Sequence, residues 1–172
     1  TTNLGTINYN GSGAQTAAAI NYYNLTLSNS GLKTFASGTT GIANTFTISD
    51  SATTDATTNS TTINYNGAGQ IVAAINYYNL TLSGSGTKTL AANTVGIANT
   101  FTTGGLTVNA TTNLGTVNYN GSGAQIAASI TYYNLTVNKS GGTLSLADSN
   151  LVVNNVLTLS SGTLDASTYS FT

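Results

Sequence analysis

The sequence predicts an all-β chain wound as a right-handed parallel β-helix, a β-solenoid of about nine rungs with three rungs per repeat. Three observations lead there. Long strings return at a fixed period: Tyr22-Tyr23-Asn24-Leu25-Thr26-Leu27 recurs at Tyr77 to Leu82 and at Tyr132 to Val137, 55 residues apart each time. Inside each unit, apolar-polar-apolar cores begin 16 to 22 residues apart. Charged residues make up only 4% of the chain, whereas β-branched residues and ten Tyr recur regularly. Disordered chains instead combine high net charge with few such residues.

Internal repetition sets the organisation. Thr6-Ile7-Asn8-Tyr9-Asn10-Gly11 returns from Thr62 and, with Val117 for Ile, from Thr116. Gly41-Ile42-Ala43-Asn44-Thr45-Phe46-Thr47 returns from Gly96, and Leu151 to Leu157 is a weaker third copy. We read one solenoid segment over 1–172, with units at 1–56, 57–110 and 111–165 and part of a further rung in 166–172.

The short cores alternate as half-buried strands do, one face in and one out. The expected inward column is Ile7, Leu25, Phe46, Ile63, Leu80, Phe101, Val117, Leu135 and Leu157. Each side chain of that size stabilises by roughly 1.5–3 kcal/mol when fully buried. Nine rungs about 4.8 Å apart make a rod about 40 Å long. Asn/Gly/Ser clusters at Asn10–Gly13, Ser83–Gly86 and Ser140–Gly142 supply corners. A unit of 55 residues is too short for an immunoglobulin-like sandwich, which takes about 100. Right-handed winding follows from the hand of parallel crossovers.

The side-chain inventory narrows the chemistry. There is no His, Cys, Met, Trp or Pro, and the ionic residues are Lys33, Lys88, Lys139, Asp50, Asp55, Asp148 and Asp165. Without His, Cys or Glu, few groups remain whose protonation or nucleophilicity catalysis could tune. We therefore expect no enzyme, no catalytic residue, no cofactor and no metal site. Asp50 and Asp148 read as turn caps rather than calcium ligands. Lys33 and Lys88, at equal places in successive units, read as solvated corner lysines that discourage edge pairing. A net charge of −1 offers no handle for nucleic acid, and no apolar run suits membrane insertion by a helix.

The strings Tyr22 to Ser28, Leu80-Thr81-Leu82-Ser83-Gly84-Ser85-Gly86-Thr87-Lys88-Thr89-Leu90-Ala91 and Leu157-Thr158-Leu159-Ser160-Ser161-Gly162-Thr163-Leu164-Asp165 resemble the β-strand repeats of very large bacterial surface and secreted proteins. Filamentous-haemagglutinin-like adhesins are among them. The resemblance covers essentially the whole chain. It implies an extracellular location, a role in adhesion, biofilm or fibre formation, and no catalytic residues to carry over.

The outward positions form the candidate binding face: Thr26, Thr47, Asn64, Thr81, Thr102, Asn118 and Thr136. Stacked, they read first as hydrogen-bonded ladders that stiffen the rod. Two sharper alternatives are ice binding through regular Thr columns and weak glycan binding through Tyr22, Tyr23, Tyr77, Tyr78, Tyr132 and Tyr133, with one Tyr of each pair turned outward. The chain begins without Met and stops in mid-pattern at Thr168-Tyr169-Ser170-Phe171, so it reads as a piece of a longer protein. Open solenoid ends then predict partners end to end, either flanking repeats or another copy.

Overall fold

The computed structural model describes residues 4–147 and 150–167. Among them there is no helix, and every strand pairing is parallel. The winding is that of a right-handed β-solenoid of about eight turns. Its rungs are carried by β1 (Thr6–Tyr9), β3 (Asn21–Leu27), β5 (Thr39–Ile48), β7 (Thr62–Tyr65), β9 (Asn76–Leu82), β11 (Thr94–Thr102), β13 (Thr116–Tyr119), β15 (Thr131–Leu146) and β16 (Val152–Asp165), stacked in that order. The final strings of the chain, Thr168 onward, lie outside the described residues, as does Asp148.

A second face holds shorter strands that the apolar cores did not reveal. β2 (Gln15–Ala17), β4 (Leu32–Phe35) and β6 (Thr53–Asp55) form one three-stranded sheet. A second consists of β8 (Gln70–Val72), β10 (Lys88–Leu90) and β12 (Val108–Asn109). In the third unit, β14 (Gln125–Ala127) pairs with the late half of β15, which pairs in turn with the late half of β16. The wide face is thus continuous, whereas the narrow face is cut into blocks of three. The cuts fall where the sequence repeat begins again.

The wide face also changes register there, and this corrects the single inward column. Leu25 pairs with Phe46, and Ile63 with Leu80, as expected. Phe46 and Ile63, however, are not vertical neighbours: Ile63 stands over Thr40. Likewise Val117 stands over Val95 rather than over Phe101. The cause is the length of β5 and β11. Their late halves close one block and their early halves found the next, so the stack steps six residues along the strand, roughly 20 Å.

Overlap keeps the core continuous across each step. Tyr22, Ile42, Tyr65 and Leu82 make one inward column, while Thr40, Ile63, Leu80 and Phe101 make another. Tyr77, Ile97, Tyr119 and Val137 repeat the first of these one unit later. All of these side chains are buried. Ile7, in the lowest described rung, is instead 50% exposed, and Phe46 is half-buried.

Candidate functional site

The outward face is built by the same alternation that fills the core. Asn8, Thr26 and Thr47 align in the first block; Asn64, Thr81 and Thr102 in the second; Asn118, Thr136 and Thr158 in the third. The structure therefore brings Thr26 to Thr47, Asn64 to Thr81 and Thr102, and Asn118 to Thr136. It does not join them into one column, because the register steps separate three short ladders. Asn8, Thr47, Thr102 and Thr158 are exposed, and Thr26, Asn64, Thr81, Asn118 and Thr136 are half-buried.

Neighbouring amides tie these ladders internally. The Asn24 Oδ1 accepts from Thr45 Oγ1 and Asn44 Nδ2, both at 2.8 Å. The Asn79 Oδ1 accepts from Thr100 Oγ1 at 2.8 Å and Asn99 Nδ2 at 2.7 Å. Ser28 and Ser83 donate to Asn8 and Asn64 at 2.9 and 2.8 Å. In the third unit Asn138 occupies the place of those serines, and the Asn118 Oδ1 is left buried without a partner.

The lysines are where the structure departs furthest from expectation. They are not solvated. Lys33 and Lys88 are 0% exposed and Lys139 is 1% exposed. Along β4, Lys33 lies on the same side as buried Phe35, as the two-residue period of a strand dictates. Lys88 and Leu90 repeat that arrangement in β10.

Each ammonium ends in a cage of neutral oxygens. The Lys33 Nζ donates to the carbonyls of Gly11 (2.6 Å), Ser30 (2.8 Å) and Gly13 (3.2 Å). The Lys88 Nζ donates to Gly67 O at 2.7 Å and Gln70 Oε1 at 2.6 Å. The Lys139 Nζ donates to Gln125 Oε1 (2.6 Å), Gly123 O (2.7 Å) and Gly121 O (3.2 Å). Three ammonium hydrogens facing several acceptors satisfy a buried cation without a counter-ion. Burial still lowers the Lys88 and Lys139 pKa values below the ordinary lysine value.

Gln70 and Gln125 extend two of these cages into clasps between blocks. Their Nε2 groups reach down to paired carbonyls of the block below: Ile42 and Asn44 at 2.9 Å, and Ile97 and Asn99 at 3.0 Å. Their Oε1 atoms also accept from Gly67 N at 2.8 Å and Gly121 N at 3.1 Å. The clasp sits where the narrow-face ladder is missing, so side-chain hydrogen bonds replace backbone ones. Asn66 and Asn120 add a staple on the outer face, donating to Asn21 and Asn76 Oδ1 at 3.2 and 3.1 Å. The staple passes over Gly41 and Gly96, where a Cβ would lie 1.7 Å from the lower asparagine's oxygen.

The tyrosine pairs are likewise structural. Tyr22, Tyr77 and Tyr132 are buried, and Tyr23, Tyr78 and Tyr133 are half-buried. The hydroxyls of Tyr65 and Tyr77 lie 2.9 Å apart; Tyr77 donates to Ala73 O, and Ala73 N donates to Tyr65. That leaves the Tyr65 hydrogen for Tyr77, closing a ring of three bonds. Tyr9 with Tyr22 and Tyr119 with Tyr132 form the same ring around Ala18 and Ala128. Burial pushes the Tyr65 and Tyr119 phenols up to about 12, and raises Tyr77 and Tyr132 well above their ordinary value.

Compared with family models, characterised proteins and solved structures, the chain finds no significant match. The chemistry of the site therefore rests on its own residues. Asp55 caps a turn, accepting from Thr57 N, Thr57 Oγ1 and Thr58 N. Burial would raise its pKa, but the hydrogen bonds from Thr58 and Thr57 outweigh burial and hold it at about 2. Asn109 makes the same turn with Thr111 and Thr112. Asp50 is exposed and accepts from Asn29 N at 3.0 Å. Beside the second junction lies an open groove of about 430 Å³ walled by Phe101, Leu106, Ile126 and neighbouring small residues.

The lysine cages could have been found from the sequence. The tripeptides Lys33-Thr34-Phe35 and Lys88-Thr89-Leu90 alternate as strands do, and each follows an Asn-Gly corner by about one turn. The signal was the alternation itself, which puts a lysine and an apolar residue on one face.

Proposed function

We propose that this chain is a stiff, chemically inert spacer in a large bacterial surface or secreted protein, acting outside the cell and not as an enzyme. The observation that carries this reading is the burial of all three lysine side chains. With no Arg or His in the chain, the described surface offers no side-chain cation. Such a surface has no electrostatic attraction for polyanions, and its amines are out of reach of proteases and electrophiles. The clasps and ladders between rungs support stiffness. The resemblance of the repeats to adhesin repeats supports the setting.

Trypsin tests it directly. In the native chain, digestion is expected to leave the protein intact, whereas the chain unfolded in urea is cut after Lys33, Lys88 and Lys139. Rapid native cleavage at any of these sites removes the reading.

The alternative is a binding role of the outer face toward ice or glycans, supported by the exposed hydroxyls of Thr47 and Thr102. That role predicts thermal hysteresis or glycan-array signal that is lost in Thr81→Tyr. Absence of both signals in the unaltered chain leaves the spacer alone.

A further inference from the structure

The first block carries the parts of a clasp, and no described residue lies beneath it to fill them. At each internal junction the upper block grips the lower through three features. These are the glutamine amide on two carbonyls, the asparagine staple over a glycine, and a strand seated on the early half of β5 or β11. Gln15, Asn10 and β1 occupy the same places in the first unit. Gln15 is also already set for the task. Its Oε1 accepts from Gly11 N at 2.8 Å, just as Gln70 accepts from Gly67. Leu4 and Ile7 are 59% and 50% exposed there, whereas Ile63, which occupies the place of Ile7 in the second unit, is 0% exposed.

The geometry points to the underside of the first block as a docking face for a solenoid unit of defined chemistry. That partner ends in a strand of the β5 and β11 type: a bulge presenting two carbonyls, and a glycine standing above an asparagine. The inference rests on the spacer reading and names what the spacer joins.

A second copy of this chain offers only half of that lock. At the top of the third block, Asn155 donates to Asn134 at 2.8 Å as Asn44 does to Asn24, so the bulge is kept. Thr131 and Val152, however, pair where Asn21 and Gly41, and Asn76 and Gly96, pair below. The staple cannot form on that surface, because threonine lacks the amide oxygen and valine fills the notch. The preferred partner is therefore another unit of the asparagine/glycine type rather than this chain's own upper end.

Sedimentation velocity on the full chain tests this. The double variant Thr131→Asn/Val152→Gly builds the missing half of the lock, so it is expected to associate end to end at a concentration about tenfold lower than the unaltered chain does, as one regained hydrogen bond and a freed notch imply. Adding Gln15→Leu is expected to return it to the behaviour of the unaltered chain. A folded double variant that sediments like the unaltered chain overturns the proposal, and so does association indifferent to Gln15→Leu. If the double variant does not fold, a chain carrying a copy of residues 57–110 ahead of Thr1 decides. Slowed exchange of the Gln15 side-chain amide supports docking, and unchanged exchange overturns it. Native trypsin resistance is independent of all these outcomes, so loss of docking with resistance intact sinks this inference and leaves the spacer standing.

Discussion

Two corners of the molecule have the same Asn-Gly sequence and different surroundings. At Asn66-Gly67, a Cβ on the glycine would come within 1.8 Å of the backbone oxygen of Ala43 in the block below. At Asn10-Gly11, the nearest atoms are those of the Gln15 side chain, at 2.9 Å. The strand before each corner differs in the same way: Tyr65 is 0% exposed, whereas Tyr9 is half-buried. Identical local sequence thus yields a tight, dry corner or a loose one according to what lies underneath. In a solenoid, each unit borrows part of its core from its neighbour.

The largest expected contrast lies in the cages. Lys88→Met removes the charged donor shared by Gly67 O and Gln70 Oε1, leaves them only Ser85 N and Gly67 N at a buried junction, and should cost about 4 kcal/mol. Lys33→Met frees carbonyls at the lower rim, where water reaches them, and should cost about 2 kcal/mol. Urea unfolding of both variants measures the gap, and equal losses would mean that the junction contributes nothing special.

Next comes the glycine pair. Gly67→Ala forces the corner off the Ala43 carbonyl and is expected to cost about 3 kcal/mol, whereas Gly11→Ala displaces only a flexible side chain and should cost under about 1 kcal/mol. Thermal melts of the two variants suffice to compare them.

Alkaline pH separates the buried tyrosine rings from any exposed phenol. From pH 10 upward the unfolded chain ionises its tyrosines, while Tyr65 and Tyr119 remain protonated until about 12. Proton release thus favours unfolding, and the stability present below pH 10 is lost progressively between 10 and 12. Lys88 and Lys139 act in the opposite sense, since their lowered pKa values add stability as pH rises toward the ordinary lysine value of 10.5. Urea midpoints at pH 9, 10 and 11 should therefore fall above 10, and replacing Tyr65 and Tyr119 by Phe should flatten that fall. A double variant with an unchanged alkaline slope would assign the loss to other groups.

The smallest effect compares the two steps in register. At the first, the buried Thr40 hydroxyl lacks a hydrogen-bond partner; at the second, the same place holds Val95. Thr40→Val should stabilise by about 1 kcal/mol, seen as a higher melting temperature. A loss instead would show that the hydroxyl has a partner in solution.

Much of the architecture was legible in the residues. The 55-residue period and the alternation in Leu25-Thr26-Leu27 led to strands, rungs and a parallel coil, because a two-residue period states which side chains face inward. The outward placement of Thr26, Thr81 and Thr136 followed equally. The lysine charges point to solvent, whereas alternation puts Lys33 on the buried face with Phe35, two residues away on one strand, and alternation prevails. The tyrosine pairs were half legible: one ring of each had to face inward, but the hydroxyl ring around Ala73 depends on a bend that no spacing reveals.

What the sequence determined by itself is the period, the strand faces and the scarcity of reactive groups, all of which are properties of residues and their near neighbours. Only the tertiary structure decided where one rung rests upon another. Phe46 and Ile63 look like vertical neighbours, yet β5 is long enough to offer two seats, and the chain takes the earlier one. That choice depends on close contacts between residues far apart along the chain, such as Gln70 with Ile42 and Gly67 with Ala43. Periodicity carries no record of such contacts.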